Sequence, residues 1–457
     1  MRTTLLLLSA VLVSGAAYAN PADPVHEYKL DNGLRLLVKV DNRAPVVISQ
    51  VWYRVGSSYE PSGLTGISHV LEHMMFKGTP NHPPNEFSRI VAANGGQENA
   101  FTSRDYTGYY QQLEKSRLPV SFELEADRMR HLNLDPAEFA KEVQVVIEER
   151  RMRTDDDPQS LTSEQFNAVA HINSPYRNPV IGWRDDLDNL RAEDLRAWYQ
   201  QWYAPNNATV VVAGDVEPEE VLQLAKKYFG PLQPSVIPKT KPQREVEQKG
   251  ERRITVRAPA ELPVLLMGYH APGVAQAKEA WEPYALEVLA NVLDGGDSAR
   301  FATNVVRGQE IAASLNTGYD MYTRHDSVFS FSATPTQAHT VADVEAAVKA
   351  EIKKIQDTPP SAAELQRVKA QVVAGKVYER DSLFYQATQL GELDAIGLDY
   401  KLMDEYVARI SAITPEQVQA VAKKYFTDDR LTAAVLDPLP IDDNAPRPSA
   451  PPTTMIR

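Results

Sequence analysis

Two stretches of the chain repeat one pattern, and this repeat constrains the possible folds more than any other feature of the sequence. A helical pattern that begins at Leu190 leads into an apolar strand pattern at Thr209. The same succession begins again at Ile413 and reaches Thr432, so the two threonines lie 223 positions apart. Convergent helix–strand patterns can arise by chance, but a repeat of this period favours two diverged copies of one domain.

A proline-rich, polar stretch over 231–252 separates the two copies. No helical or strand period is sustained there, which is typical of an extended linker between domains. The sequence therefore predicts an N-terminal domain over 20–230 and a C-terminal domain over 253–440. Because strand and helix patterns are mixed in both halves without a strict β-α-β order, the predicted class is α+β, with helices on one face of each sheet.

Both ends of the chain have the patterns of segments that lie outside a fold. Residues 1–19 combine an early arginine, a short apolar run and a small-residue ending, which predicts a signal peptide cleaved after Ala19. The mature protein would then be periplasmic or secreted, and no later stretch is long and apolar enough to span a membrane. Residues 441–457 are rich in proline and small polar residues, and they are predicted to be a disordered tail.

Composition limits the kinds of protein that such a chain can be. Hydrophobic residues make up 43% of the sequence and charged residues 24%, which is the balance of an ordinary globular protein. The formal charge of −13 argues against a nucleic-acid binder, which normally carries a basic surface. Because the chain has no cysteine, it cannot form a disulfide framework, an iron–sulfur cluster or a cysteine nucleophile. Any metal must therefore be held by nitrogen and oxygen ligands.

The strongest local signal is the segment His69-Val-Leu-Glu72-His73, within a helix predicted over Gly63–Phe76. Residues three and four apart lie on the same side of a helix, with Cβ atoms about 5–6 Å apart. His69 and His73 can therefore bind one ion, with Glu72 beside them. Neutral imidazole is a standard zinc ligand, and catalytic zinc needs three protein ligands and one open position. The alternative is a pair of surface histidines on an amphipathic helix.

A third ligand must come from elsewhere, and the helical pattern around residue 145 offers candidates. Glu142 and Glu149 are seven positions apart, close to two helical turns, and they share a face with Val145 and Val146. A carboxylate on such a partly buried face needs a partner, and a cation is a suitable one. Glu148 lies roughly 100° around the helix and is predicted to face solvent. Spacing alone leaves open that both acids only solvate the helix.

The order of the motif, His-x-x-Glu-His, resembles that of the inverzincin class of zinc peptidases, the pitrilysin or insulinase family. Within it, the chain is most similar to bacterial relatives of the mitochondrial processing peptidase β subunit. The resemblance extends from residue 26 to residue 437. It implies two homologous domains, each a mainly antiparallel sheet with helices packed on one face, that face each other as a clamshell. Further matches lie at Gly95-Gly96, Asn99 to Thr102, Asp105 to Thr107 and Tyr109-Tyr110.

The resemblance also implies a role for each residue of the metal site. One zinc ion would be bound by His69, His73 and Glu149, the last of which lies 76 positions beyond the motif. Glu72 would be the general base and would not touch the metal. Glu142 would orient one of the ligands. The segment from Asn291 to Gly295 matches the motif helix without either histidine, so the second domain would fold similarly and bind no zinc.

Substrate binding is implied at two places. Asn99 and Ala100 match the edge strand on which the family binds peptides in extended form. Arg307 matches an arginine that contacts substrate from the C-terminal domain, but Ser314 stands where the family has a tyrosine. The missing tyrosine leads to the hypothesis that a homologous partner chain, in a heterodimer or a homodimer, completes the site.

A local replacement for that tyrosine is the alternative to a partner, with Tyr319 or Tyr322 in its place. For the chain as a whole, the sequence favours a secreted zinc endopeptidase acting on peptides. The competing functions are a non-catalytic zinc-containing assembly or core subunit of a processing complex, and a protein that only captures peptides. Glu72 favours the enzyme, because a structural zinc site is usually closed by four protein ligands and needs no base.

Overall fold

The structure is a computed structural model that describes residues 24–441. The predicted signal peptide over 1–19, and the predicted tail beyond its first residue, lie outside the described residues. In the described range the chain forms two β-sheets, each with its own hydrophobic core. None of the helices between residues 24 and 441 combines the length and the apolar character that crossing a bilayer requires.

The first half of the described chain contains six strands and eight α-helices. Its strands are β1 (Val25–Lys29), β2 (Arg35–Val40), β3 (Val46–Tyr53), β4 (Gln97–Thr102), β5 (Thr107–Glu114) and β6 (Ala208–Gly214). Its helices are α1 (Ile67–Met74), α2 (Glu86–Ala93), α3 (Leu118–His131), α4 (Pro136–Arg150), α5 (Pro158–Ala170), α6 (Arg184–Asn189), α7 (Ala192–Trp202) and α8 (Pro218–Tyr228).

The second half contains five strands and six α-helices. Its strands are β7 (Arg252–Pro259), β8 (Val264–Ala271), β9 (Ala312–Gly318), β10 (Ser327–Pro335) and β11 (Leu431–Leu439). Its helices are α9 (Glu282–Asp294), α10 (Val341–Asp357), α11 (Ala362–Glu379), α12 (Leu383–Ala395), α13 (Leu402–Ala412) and α14 (Pro415–Tyr425). Between the halves, residues 233–249 form neither helix nor strand.

Apart from the additional edge strand β1 in the first sheet, the two sheets have the same topology. The first has the strand order β1-β2-β6-β3-β5-β4 and the second the order β7-β11-β8-β10-β9, and each contains one parallel pair among antiparallel neighbours. Thr209 pairs with Arg35 in the first sheet, and Thr432 pairs with Arg252 in the second. The two threonines of the sequence repeat therefore occupy equivalent places, and the predicted pair of homologous, mainly antiparallel domains is confirmed.

One helix from each half crosses to the sheet of the other half. Helix α12 packs on β3 and β6, where Leu390 joins Trp52 and Val211 in a buried cluster. Helix α5 packs on β7, β8 and β11, where Phe166 lies against Ala434. On the opposite face, α3 and α8 pack on the first sheet and α10 and α14 pack on the second, as expected from the sequence. The exchange buries both faces of each sheet, and it ties the two halves together.

Candidate metal centre

Helix α1 presents polar side chains on one side because its other side belongs to the core. The buried side packs against α4, α7 and β4. It consists of Ile67, Val70, Leu71 and Met74, all with no exposed surface. His69, Glu72 and His73 lie on the remaining side, where they are partly covered. The apolar periodicity of the sequence therefore decides which way the three polar residues point.

Helix α4 supplies the carboxylates that face α1. The helix begins behind Asp135, whose carboxylate accepts the backbone N–H groups of Ala137 at 2.7 Å and Glu138 at 3.0 Å. Its Val143, Val146 and Ile147 are buried in the core. Glu142 and Glu149 contact the histidines of α1, whereas Glu148 is largely exposed and pairs with Arg151 at 3.0 Å.

His69, His73 and Glu149 come together at one point. One ligand atom from each of the three residues lies within 4.8 Å of the others, and no other group of this kind occurs between residues 24 and 441. Nε2 of His69 is 3.8 Å from Glu149 Oε1, and Nε2 of His73 is 3.4 Å from Glu149 Oε2. Two imidazole nitrogens and one carboxylate are a common ligand set for catalytic zinc, so these residues fit that metal.

Glu142 holds the ring of His73 from the side away from Glu149. Its Oε2 lies 3.3 Å from His73 Nδ1, and its Oε1 lies 2.5 Å from Nζ of Lys77. These contacts leave Nε2 of His73 directed at Glu149. Burial opposes ionisation of Glu142, but the hydrogen bonds with His73 and Lys77 outweigh it and lower the pKa of the carboxyl. The carboxylate is thus available to orient a ligand.

The two imidazoles have opposite tendencies to hold a proton. Burial is the largest influence on His69 and lowers its pKa to about 4, so the ring is neutral and can bind a cation. Burial also acts to lower the pKa of His73, but the carboxylates of Glu142 and Glu149 outweigh it and raise the value to about 9. The two carboxylates beside His73 therefore favour a positive charge at this point of the site.

Glu72 lies beside the three convergent residues and is not one of them. Its Oε2 accepts a hydrogen bond from the hydroxyl of Thr102 on β4. Burial is the main cause of the raised pKa of Glu72, and the Thr102 hydroxyl acts in the opposite direction. A carboxylate with a raised pKa, next to a candidate zinc site, is well placed to exchange protons with water.

Strand β4 carries Asn99 and Ala100 along the edge of the first sheet. It is the outermost strand of that sheet, it contacts α1, and it pairs on its inner side with β5 through Asn99–Tyr110 and Ala100–Tyr109. Both residues are partly exposed. An edge strand has backbone groups free to pair with another extended chain.

Arg307 is predicted to contact substrate from the C-terminal half, and Ser314 stands where the family has a tyrosine. Both residues make contacts within that half. Arg307 is exposed and donates to the backbone carbonyl of Asp297. Ser314 lies on β9 opposite Thr334. The structure therefore does not bring either residue into contact with the cluster around Glu149.

The two tyrosines considered as replacements also lie away from the metal cluster. The hydroxyl of Tyr319 donates to the carbonyl of Pro272 at 2.7 Å. The hydroxyl of Tyr322 is buried and has no hydrogen-bond partner among the described residues. Neither hydroxyl contacts a residue of α1 or α4 in this structure.

Helix α9 is the C-terminal counterpart of α1, and like α1 it places a carboxylate in contact with the edge strand of its sheet. Asn291 and Asp294 lie on α9, 222 positions after His69 and Glu72. Asp294 accepts the backbone N–H of Thr317 on β9, and β9 occupies the place in its sheet that β4 has in the first. Glu72 likewise contacts β4, so the helix-to-strand contact is retained in the half without the histidines.

Sequence reasoning missed three residues that touch the cluster. Lys77 binds Glu142, Thr102 binds Glu72, and the guanidinium of Arg153 pairs with Glu149. Lys77 and Arg153 each follow a predicted ligand by four positions, and this helical spacing could have identified them. Thr102 belongs to a different element, and its contact depends on how β4 packs against α1.

Two family models match the chain. One is described as insulinase, peptidase family M16, and it matches residues 35–183. The other is described as the peptidase M16 inactive domain, and it matches residues 189–372. The first match contains the whole candidate metal centre, and the second contains α9, where both histidines are replaced.

Individual relatives match along nearly the whole chain. The zinc protease PqqE of Helicobacter pylori is 32% identical over 95% of this chain and 98% of its own length. A solved protease structure from Helicobacter pylori superposes with a TM-score of 0.86 at 30% identity, covering 91% of this chain and all of that one. The periplasmic protease PqqL of Escherichia coli has the same fold, with a TM-score of 0.76 at 20% identity, over 90% of this chain and 47% of that chain.

Proposed function

We propose that this chain, which belongs to the insulinase family (peptidase family M16), is a secreted zinc metalloendopeptidase. The observation that carries the proposal is the convergence of His69, His73 and Glu149 within 4.8 Å, with the carboxylate of Glu72 beside them. A structural zinc site is usually closed by four protein ligands, whereas three ligands leave a position open for water and substrate. Zinc protease relatives along the whole chain support the same function.

In the proposed reaction, each residue of the site has one task. His69, His73 and Glu149 would hold one zinc ion, which when bound would supply a Lewis acid for the scissile carbonyl and lower the pKa of water. Glu72 accepts a proton from the attacking water as the water oxygen bonds to the carbonyl carbon. Glu72 then donates that proton to the amine that leaves when the C–N bond breaks.

The peptide would bind in extended form along β4. Backbone pairing with an exposed sheet edge recognises extended conformation more than side-chain identity. Asn99 and Ala100 lie on this edge, on a strand that also contacts Glu72 through Thr102. Arg307 is proposed to bind substrate from the C-terminal half, which requires either closure of the two halves or a second chain.

We extend the proposal to a homologous partner chain and to the compartment. The relative PqqL is a single chain of which this protein covers 47%, so a second unit of similar size accompanies the matching half in that protein. Ser314, in place of a tyrosine, is the feature that favours a partner here. The predicted signal peptide and the periplasmic description of PqqL support a periplasmic or secreted location.

The alternative is a non-catalytic zinc-containing subunit of a processing complex. Its specific support is the match of residues 189–372 to a domain described as inactive. The two functions differ in what Glu72 does, because only the enzyme needs a base next to an open metal position.

The test is the variant Glu72→Gln. We expect it to retain zinc and to lose hydrolysis by about 10²–10⁴-fold in kcat, because a carboxamide cannot accept the water proton. Zinc content by elemental analysis and cleavage of a quenched fluorescent peptide measure the two parts. Glu86→Gln on α2 is the control, and it should resemble the wild type. Undiminished hydrolysis by the Glu72 variant would contradict the proposal.

A further inference from the structure

Glu60 is a buried carboxylate just before the helix that carries the zinc motif. The Glu60 residue is only 5% exposed. Within residues 24–441, no nitrogen of a lysine, arginine or histidine side chain lies within 4.0 Å of its carboxylate. Burial raises the pKa of Glu60 to about 7, which reflects the cost of holding a charge there. Polar groups kept in such surroundings need hydrogen bonds, and two backbone N–H groups donate to the carboxylate of Glu60.

The carboxylate of Glu60 caps the start of α1. Oε2 accepts the N–H of Gly66 at 2.8 Å, and Oε1 accepts the N–H of Ser68 at 2.8 Å. The residue at the usual capping position is Gly66, with φ at 87°, and it has no side chain to perform this task. Glu60 thus satisfies two N–H groups that a helix start leaves without partners, and its charge is favourable at the positive end of the helix dipole.

A second acid holds the same loop from another direction. Asp186 accepts both the backbone N–H of Thr65 at 3.1 Å and its hydroxyl at 2.5 Å. The Thr65 hydroxyl in turn accepts the N–H of Trp183 at 2.9 Å. The loop before α1 is therefore restrained on two sides, and Glu60 is the restraint that acts on the helix itself.

The geometry points to Glu60 as a positioning residue for the zinc ligands: by holding the N–H of Ser68 it sets the rotation of α1, and with it the direction of His69 towards Glu149. This inference rests on the proposed function. Ser68 directly precedes His69, so the capped peptide group and the imidazole are joined through one residue. His73 lies one helical turn further, and it moves with the same rotation.

The homologous helix provides a matched comparison. Glu282 is the first residue of α9, is 2% exposed, and is bound by Lys424 and by the hydroxyl of Tyr425 at 2.9 Å. It is a buried glutamate at the start of the equivalent helix, in the half that has no histidine pair. Loss of Glu282 should affect stability alone.

The experiment compares E60Q and E282Q. The metal-free chains are titrated with zinc by calorimetry, unfolding temperatures are recorded, and kcat and KM are measured on the zinc-loaded chains. We expect E60Q to bind zinc about 10- to 100-fold more weakly, the range found when a supporting contact of a metal ligand is lost. We also expect its kcat to fall with KM nearly unchanged, because the peptide-binding edge on β4 does not touch Glu60. E282Q should lower only the unfolding temperature.

Zinc affinity of E60Q equal to that of E282Q would overturn the inference, whatever the unfolding temperatures. If E60Q does not fold, the variant E60D replaces it in the experiment. E60D keeps the negative charge, but its side chain is one methylene shorter and holds the carboxylate further from the N–H groups of Gly66 and Ser68. A zinc affinity of E60D equal to that of the wild type would then overturn the inference. A wild-type chain that binds zinc but cleaves no peptide would instead contradict the proposed function, while the zinc affinities would still test the role of Glu60.

Discussion

At the scale of single residues, charge balance dominates the candidate metal centre. Two carboxylates, Glu142 and Glu149, face His73 from opposite sides, and Lys77 and Arg153 each pair with one of them. The convergence of one carboxylate and two imidazoles at a partly buried point, in addition to these ion pairs, is more easily explained by a bound cation than by stability.

Replacement of Glu149 by glutamine is expected to weaken zinc binding more than the about 10- to 100-fold that loss of a supporting contact causes. A neutral carboxamide removes both the ligand charge and the preferred ligand atom. The neighbouring variant Glu148→Gln is the control, because Glu148 is directed to solvent and pairs with Arg151. Zinc titration of both metal-free chains measures the difference, and equal affinities would exclude Glu149 as the third ligand.

At the scale of elements, the start of α1 and the exchanged helices decide where the site lies. The sequence pattern predicted a helix from Gly63, but α1 begins at Ile67, because Gly66 adopts a positive φ. A Cβ atom at Gly66 would lie 2.6 Å from the carbonyl oxygen of Ile181 and 3.0 Å from Gly182. Close packing of the loop before α1 against the segment before α6 therefore requires glycine there.

Both exchanged helices are held by arginines at the start of equivalent strands. Arg35 on β2 and Arg54 bind Asp394 near the end of α12. Arg252 on β7 donates to the carbonyls of Val169 and Ala170 at the end of α5. Positive charge near a helix C-terminus is favourable, and arginines provide it at the ends of both α12 and α5.

The variant Asp394→Asn is expected to reduce the free energy of unfolding by about 1.5–3 kcal/mol, the range for hydrogen bonds to charged groups, because Arg35 and Arg54 lose a buried partner but keep partial access to water. Asp394 is 2% exposed and also accepts the hydroxyl of Thr209. The control is Asp381→Asn, which removes an exposed pair with Arg43 and should cost less than about 1 kcal/mol. Urea unfolding measures both, and a similar loss for the two variants would contradict the role given to Asp394.

At the scale of the whole molecule, the interface between the halves contains one buried histidine, His171, and two partly exposed ones, His270 and His325. The ring of His171, at the end of α5, lies 5.1 Å from that of His270 on β8. Burial is the main cause that lowers the pKa of His171 to about 2, and His270, Arg104, Arg252 and His325 add to it. A histidine that stays neutral in the folded chain but takes up a proton when unfolded makes stability depend on pH.

We expect the free energy of unfolding to fall by about 1 kcal/mol for each pH unit below 6.5 through His171 alone. The folded pKa is lowered, so the stabilisation is fully present above 6.5 and is lost as the pH falls. His171→Gln should therefore have a shallower loss between pH 6.5 and 5, measured by urea unfolding at several pH values. His339→Gln, which removes a histidine from the surface, is the control, and parallel curves for all three chains would contradict the prediction.

The partner hypothesis is also tested on the whole molecule. If Ser314 leaves the site incomplete, the purified single chain should cleave peptides weakly, and addition of a homologous chain that has the arginine and tyrosine should raise kcat. Full activity of the chain alone would contradict the need for a partner. Gel filtration with light scattering measures the mass of the purified chain in solution, and it would detect a homodimer, the other form of partner.

The sequence by itself determined which residues share one side of a helix and which segments of the chain repeat. Helical spacing put His69, Glu72 and His73 on one side of a helix and Glu142 with Glu149 on one side of another, because the period of a helix is a local property of the backbone. The period of 223 positions likewise predicted two equivalent sheets, and Thr209 and Thr432 do occupy equivalent places.

Only the tertiary structure decided which residues meet across elements. The approach of Glu149 to two histidines more than seventy positions away, the contact of Thr102 with Glu72, and the cap that Glu60 forms on α1 all depend on packing between separate elements. The exchange of α5 and α12 between the halves left no periodic trace in the sequence either. Burial of apolar surface drives such packing without direction, and shape and hydrogen bonding between distant segments select the arrangement.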